Sequence, residues 1–196
     1  IKDIDGVEEV RPVVYRAGIV KNEENIHGVL FKGVHREDTV SLGVSIPRRL
    51  AEIGNLKPGD RMLTYFVGGK VKMRQFQVTS VYDAMLETDD RLVVYASLDD
   101  MQRLNGWNET QVSGVEILLD PALRNKADLQ DISYQIGSVA YENSREEDET
   151  VYASSVLSRY PQLFDWLDLI DFNVLFILML MTIVAGFNMI SGLLIM

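Results

Sequence analysis

The sequence predicts an α+β domain followed by a membrane-spanning helix. Three observations carry this reading. Short apolar runs bounded by turn residues alternate irregularly with segments of helical spacing, as in a mixed α+β fold. The run Val174 to Met196, VLFILMLMTIVAGFNMISGLLIM, carries no charge. At about 1.5 Å of rise per residue it crosses a hydrocarbon layer roughly 30 Å thick. Everything before that run has the composition of an ordinary folded, acidic body, with a net charge of −10 over the whole chain of 196 residues.

The elements follow in order. Asp5-Gly6-Val7 reads as a turn, and Val10 to Val20 as a strand rich in Val, Tyr and Ile. The polar stretch Lys21–Asn25 reverses the chain, and Ile26 to Val34 returns, giving a hairpin with a long tip. Arg36 to Thr39 is polar. Ser45 is expected to cap a short helix through Leu50 and Ile53, stopped by Gly54. Lys57-Pro58-Gly59-Asp60 is a tight turn. Arg61 to Val67 and Lys70 to Val81 form a second hairpin about Gly68-Gly69. Its apolar phase flips near Arg74-Gln75, with Val71 and Met73 on one face and Phe76 and Val78 on the other, which suggests a bulge.

Leu92 to Ala96 is a further strand. Ser97 is expected to cap a helix with Asp99 and Asp100 in its first turn, ending near Asn105-Gly106. Val112 to Leu119 is a strand, and Pro121 opens a long helix to about Ala140. Arg145 to Glu149 is a charged loop, and Val151 to Ser155 a short strand. Leu163, Leu167, Ile170 and Val174 then recur at helical spacing, with Asp165, Asp168 and Asp171 on another face. This amphipathic helix is expected to run from about Val156 into the apolar run without a break. No internal repeat is visible.

Composition excludes several functions. The acidic balance, with no basic run beyond Arg48-Arg49, argues against nucleic acid. There are no cysteines, so disulfides, thiolate metal sites and cysteine nucleophiles are absent. No GxxxxGK[ST] nucleotide loop is present, and Gly68-Gly69-Lys70 lies between strands rather than opening a helix. His27 and His35 are the two histidines and have no ligand pattern around them. Ser154-Ser155 lacks a nucleophile elbow. The acidic run 146–149 lacks the Gly and alternating oxygen ligands of a calcium loop. We therefore expect no enzyme, no cofactor and no metal.

The flank gives an orientation. Arg159 is the last basic residue, and Asp165, Asp168 and Asp171 lie between it and the apolar run, which suits a non-cytoplasmic flank. The chain starts at Ile1 without a leader and stops inside the apolar run, so we expect a longer protein with an upstream anchor. Phe164 and Trp166 fit an aromatic belt at the lipid boundary. Gly186, Asn188, Ser191 and Gly192 supply small and polar positions for helix packing inside the membrane. Trp107 and Asn105, beyond and at a helix end, and Asn22 and Glu23, at the first hairpin's tip, are the candidate partner contacts.

Several segments together resemble FtsX-like ABC transporter permeases. Phe164 to Asn173 followed by Ile183 to Ser191 resembles the entry to their second spanning helix. Ile4-Asp5-Gly6-Val7, Val10-Arg11-Pro12, Gly28 and Lys32-Gly33-Val34 are similar to their opening strands. Leu56 to Asp60, Leu104 to Trp107 and Gln111 to Gly114 follow in the family's order. The set looks closest to lipoprotein-releasing permeases of the LolC/LolE kind from Bacteroides-like bacteria. Arg36 to Leu42 is shorter than the corresponding stretch of family members.

The resemblance implies a MacB-type periplasmic core domain over 1–172, with a mixed lobe and an inserted β-rich lobe at roughly 40–115. A transmembrane helix, read as truncated, occupies 173–196. It implies a non-catalytic permease subunit of the bacterial inner membrane with this domain in the periplasm. Its partners would be a cytoplasmic ABC ATPase, a second permease copy or paralogue, and a lipoprotein substrate with its periplasmic carrier. The alternatives are a MacB-type efflux or export permease and an FtsX-type permease that regulates a cell-wall hydrolase.

Overall fold

A computed structural model describes residues 4–22, 25–35, 40–67, 71–84, 92–123, 125–142 and 151–195. The expected Arg36–Thr39 link, the Gly68-Gly69 turn and the Arg145–Glu149 loop fall outside them. The chain divides into two compact units, Val7–Asp120 and a second formed by Asp3–Gly6 with Pro121–Met196.

The first unit is a closed barrel. Its elements are β1 (Val7–Asn22), β2 (Asn25–Val34), β3 (Gly43–Pro47), α1 (Arg48–Gly54), β4 (Arg61–Phe66), β5 (Lys72–Tyr82), β6 (Leu92–Ser97), α2 (Leu98–Asn105) and β7 (Gly114–Leu119). The sheet runs β2-β6-β3-β5-β4-β1-β7, and a further β1–β2 pairing closes six of these strands into a ring. The second half of β1, from Val14, pairs with β2, while its first half, Val7 to Val13, pairs with β7. Strand alternation sends one set of side chains inward. Val14, Val20, Val29, Phe31, Val44, Ile46, Met62, Phe66, Phe76, Val78 and Val94 are buried there. Phe31 meets Phe66 and Phe76 with ring centroids 5.0 Å apart in each pair. Gly18 leaves room for them: a Cβ there would stand 3.1 Å from Phe66 and 3.2 Å from Phe31.

The barrel is built twice over. Each half is a hairpin, a strand and a helix: β1-β2-β3-α1, then β4-β5-β6-α2. The ladders repeat too. Hairpin β1–β2 is answered by β4–β5, and the parallel pair β2–β6 by the parallel pair β5–β3. The antiparallel pairs β1–β4 and β3–β6 each join a strand to its own counterpart. The registers agree residue by residue. Superposing Val20 on Thr64 and His27 on Arg74 carries the pair Val20↔His27 onto Thr64↔Arg74, and Ala17↔Leu30 onto Arg61↔Gln77. Phe31↔Val94 falls on Val78↔Val44. A pseudo-twofold axis therefore passes through the pairs Val20/Thr64 and Ser45/Tyr95. The repeat escapes the eye in sequence because what recurs is inward direction, with Val29 standing for Phe76 and Phe31 for Val78.

α1 and α2 follow equivalent strands at opposite ends of the barrel and close them with Leu50 and Ala51 on one side and Leu98, Met101 and Leu104 on the other. Both helices end alike. Asn55 and Gly106 adopt left-handed conformations, with φ of 46° and 75°, and their N–H groups reach Glu52 O and Arg103 O. The next residues, Leu56 and Trp107, bond Ala51 O and Gln102 O and pack on the core.

Several expectations are corrected here. Ser45 does not cap a helix. It lies inside β3, a strand too short and too uniformly buried to alternate, where its hydroxyl meets that of Ser80 at 2.6 Å. Pro47 takes the capping position instead. No bulge interrupts β4–β5 at Arg74-Gln75, since the register runs unbroken from Arg61↔Gln77 to Phe66↔Lys72. The irregularity sits further on, between Val44↔Val78 and Ser45↔Ser80. Val71 and Met73 misled the phase because they are exposed apolar residues on the outer face.

The second unit holds α3 (Lys126–Glu142), α4 (Val156–Arg159) and α5 (Pro161–Ile195). Pro121 opens a turn rather than a helix; α3 starts five residues later, after Asn125, whose carbonyl accepts the Leu129 N–H. Val151 to Ser155 is not a strand. The helix expected from Val156 is broken. α4 is one turn, capped by the Ser155 hydroxyl, and Tyr160 leaves helical geometry at φ −127° and ψ 55°. Pro161 then begins α5, in the first-turn position where its missing N–H costs nothing.

Candidate functional site

α5 is the first candidate. It is 35 residues long, and its apolar part is long and hydrophobic enough to cross a membrane, with none of that window buried against the chain. A soluble body rarely leaves an apolar surface of this size in water. From Phe172 to Ile195 nearly every side chain is exposed. The first turns are different. Asp165, Asp168 and Asp171 follow one another at intervals of three, and the Asp168 carboxylate accepts from Lys126 Nζ of α3 at 2.6 Å. That carboxylate raises the pKa of the lysine, which is partly exposed. Trp166 is exposed beside them and Phe164 half-buried. The helix thus passes from a charged, ion-paired collar to an uncharged shaft without interruption.

The four packing residues do not share one face. Asn188, Ser191 and Gly192 stand at i, i+3 and i+4 and form a stripe. Gly186, two residues before Asn188, is turned away from it.

The Leu104–Trp107 corner is the second candidate. Asn105 Oδ1 accepts a hydrogen bond from the Arg16 guanidinium, which also lies 5.6 Å over the Phe66 ring. Lys72 Nζ donates to Leu104 O at 2.7 Å. Two cations from β1 and β5 therefore hold the negative end of α2. Trp107 is half-buried, its body on the core. The following turn is braced internally: Gln102 Nε2 donates to Glu109 O and Gln111 O at 3.0 and 2.9 Å, and Asn108 Oδ1 accepts from Thr110 N and Oγ1. This corner is a fixed part of the barrel end, and Trp107 is partly exposed there.

The hairpin tip is the third candidate. Asn22 pairs with Asn25 across the end of the β1–β2 ladder, and Glu23 lies outside the described residues. Sequence reasoning brings the tip and Trp107 forward together, but they belong to opposite barrel ends: the tip joins strands at the α1 end, and Trp107 follows α2.

One buried charge was missed. Asp100 accepts from Leu42 N at 2.7 Å and pairs with Arg103 at 3.0 Å, so α2 pins the residue that enters β3 at φ 60°. On the surface, the Arg48 guanidinium beside Asp83 and the Arg11 guanidinium beside Glu9 hold those exposed carboxyls below their usual range. Among the described residues no group of three His, Cys, Asp or Glu is placed to hold a metal ion.

No family model matches the sequence, and no curated protein matches it. Three solved structures share parts of its shape. One is the extracellular domain of the noncanonic ABC-type transporter YknZ from Gram-positive bacteria, 15% identical, with a TM-score of 0.47 over 77% of this chain and 82% of that one. Another is the periplasmic region of MacB from Actinobacillus actinomycetemcomitans, 14% identical, with a TM-score of 0.45 over 70% of each chain. The third is a domain of a putative permease protein from Porphyromonas gingivalis, 10% identical, with a TM-score of 0.40 over 81% of this chain and 84% of that one.

Proposed function

We propose that this chain is the extracytoplasmic domain of an ABC transporter permease, joined to its second spanning helix. In this reading it carries motion rather than chemistry. The observation that supports it most is α5, one helix that is polar and ion-paired at its start and uncharged and uncovered for the rest of its length. Such a helix joins an aqueous domain rigidly to the membrane. The inserted β-rich lobe expected at roughly 40–115 falls within the barrel unit, Val7–Asp120, and ATP is hydrolysed by a separate cytoplasmic subunit. The Asn188, Ser191 and Gly192 stripe packs against another spanning helix of the permease dimer. The order of the FtsX-like segments favours lipoprotein release at the inner membrane, with Trp107, Asn105, Asn22 and Glu23 at the surfaces offered to substrate and carrier.

Topology is the direct test. The chain has no cysteine, so single cysteines report cleanly. Glu52→Cys on the exposed face of α1 should react with a membrane-impermeant maleimide in cells whose inner membrane is intact. Ile183→Cys, in the shaft of α5, should stay unlabelled. Labelling of Glu52→Cys only after the inner membrane is broken overturns the proposal.

A further inference from the structure

The pseudo-twofold axis gives the barrel two equivalent ends, and they are filled differently. At the α2 end Trp107 follows the left-handed cap, and Asn105 precedes it and binds Arg16. At the α1 end the equivalent residues are Leu56 and Gly54. A leucine replaces an indole and a glycine replaces an amide. The volume not filled is a cavity of about 110 Å³ with Leu50, Leu56 and Met62 in its apolar wall and His27, Lys21 and Arg61 as its nitrogen-bearing residues.

His27 sets the chemistry. It stands directly across from Val20, which faces the barrel interior, so its ring is on the inward side of β2. Its Nε2 is buried and has no hydrogen-bond partner among the described residues. A buried ring nitrogen left unpaired is unfavourable, and an incoming oxygen relieves it. Lys21 and Arg61 are exposed and line the mouth, so both can bring positive charge over an entering group. Among the described residues no acidic side chain lines the cavity. A cavity of about 150 Å³ holds a benzene ring, so this one suits roughly four or five non-hydrogen atoms.

We propose that the α1 end of the barrel binds a carboxylate carried on a short apolar stem. The carboxylate accepts from His27 Nε2–H and from the cations at the mouth, and the stem lies on Leu50, Leu56 and Met62. A free short-chain acid and a glutamate side chain of a protein partner offer the same chemistry.

The test uses the whole chain in detergent micelles with ¹⁵N-labelled histidine, whose two residues are readily told apart by substitution of His35. Propionate should shift the His27 ring nitrogens saturably in the millimolar range. Propionamide and sulfate at the same concentrations should leave them in place. N-acetylglutamate amide binding at least as tightly assigns the site to a protein partner, and a response to propionate alone assigns it to a free acid. Leu56→Trp, which installs the residue of the other end, should abolish the response, and Arg61→Met on the exposed rim should weaken it at least threefold. A response to sulfate or propionamide equal to that of propionate overturns the proposal. So does the absence of saturation with both carboxylates, or full retention of binding by Leu56→Trp and Arg61→Met.

Discussion

Two glycines on β2 face opposite circumstances, and adding one methyl to each measures how tightly α2 closes the barrel. A Cβ at Gly33 would stand 2.9 Å from both Met101 Cβ and Cγ and 3.3 Å from Leu98 Cα. Carbon contacts are comfortable at about 3.5–4.0 Å, so α2 must withdraw by roughly 0.6 Å or more. It cannot do so freely. Met101 is fully buried, and the far end of the helix is held by Lys72 at Leu104 O and by Arg16 at Asn105. Overpacking of this kind costs about 1–3 kcal/mol, against about 0.5–1 kcal/mol gained when alanine replaces glycine in a strand. Gly33→Ala should therefore destabilise by about 1–2 kcal/mol. At Gly28 nothing lies within 4 Å of the added carbon, so Gly28→Ala should be neutral or stabilising by about 0.5 kcal/mol. With a urea slope of about 1–3 kcal/mol per molar, the two midpoints should lie about 1 M apart. Urea denaturation in mild detergent, followed by Trp107 fluorescence in a Trp166→Phe background, reads the difference. Midpoints that coincide, or a more stable Gly33→Ala, would show that α2 does not press on β2 as described.

Two further outcomes follow from the same structure. Tyr82 donates to Val93 O at 2.7 Å, and burial, with a smaller contribution from Tyr95, pushes its pKa up to about 12. The folded state holds this proton more tightly than the unfolded chain, so the stability it contributes is full below about pH 10 and is lost as pH rises towards 12. The hydroxyl is only half-buried, so solvent screening reduces the effect to the order of 1 kcal/mol. Tyr82→Phe should flatten the loss of stability between those pH values in a urea series, and an unchanged slope would contradict this assignment. Leu169→Pro removes an interior hydrogen bond of α5 and costs about 3 kcal/mol locally. Under the proposed function, in vesicles reconstituted with the ATPase it should leave ATP turnover intact and abolish substrate release, with the urea midpoint of the barrel unmoved; undiminished release would refute the proposed coupling through α5.

Legibility in the sequence followed the physics of each element. The two hairpins, α2 and the apolar shaft were readable from period and turn residues; at α2 the Gly106 stop holds, while Ser97 takes the capping position without a side-chain capping bond. β3 was not, because GVSIP is buried at every position and so shows no alternation that would separate it from the helix that follows. Met73 and Val71 simulated a bulge because exposed apolar residues carry the same letter as buried ones. The break at Tyr160 was legible from Pro161 alone, which the helical spacing of the later leucines overshadowed. At the candidate sites, Trp107 and Asn105 stood out by type, but their roles depend on Arg16 and Lys72, distant in sequence. The His27 cavity had no sequence signal. It exists through a difference between Leu56 and Trp107 that has meaning only once the two halves are superposed.

β1 and β7 join the barrel to the rest of the chain through a two-stranded stem. Val7 pairs with Leu119, so the strands that bring the chain into the unit and take it out lie side by side. β1 then continues without a break from this two-stranded stem into the ring, where Val14 already pairs with Gly33 of β2. A ring of six strands has no free edge at which to open, and a helix packed with buried side chains closes each end. The two ends of the ring are nevertheless unlike: Trp107 packs on the core at the α2 end, whereas Leu56 leaves the cavity beside His27 at the α1 end.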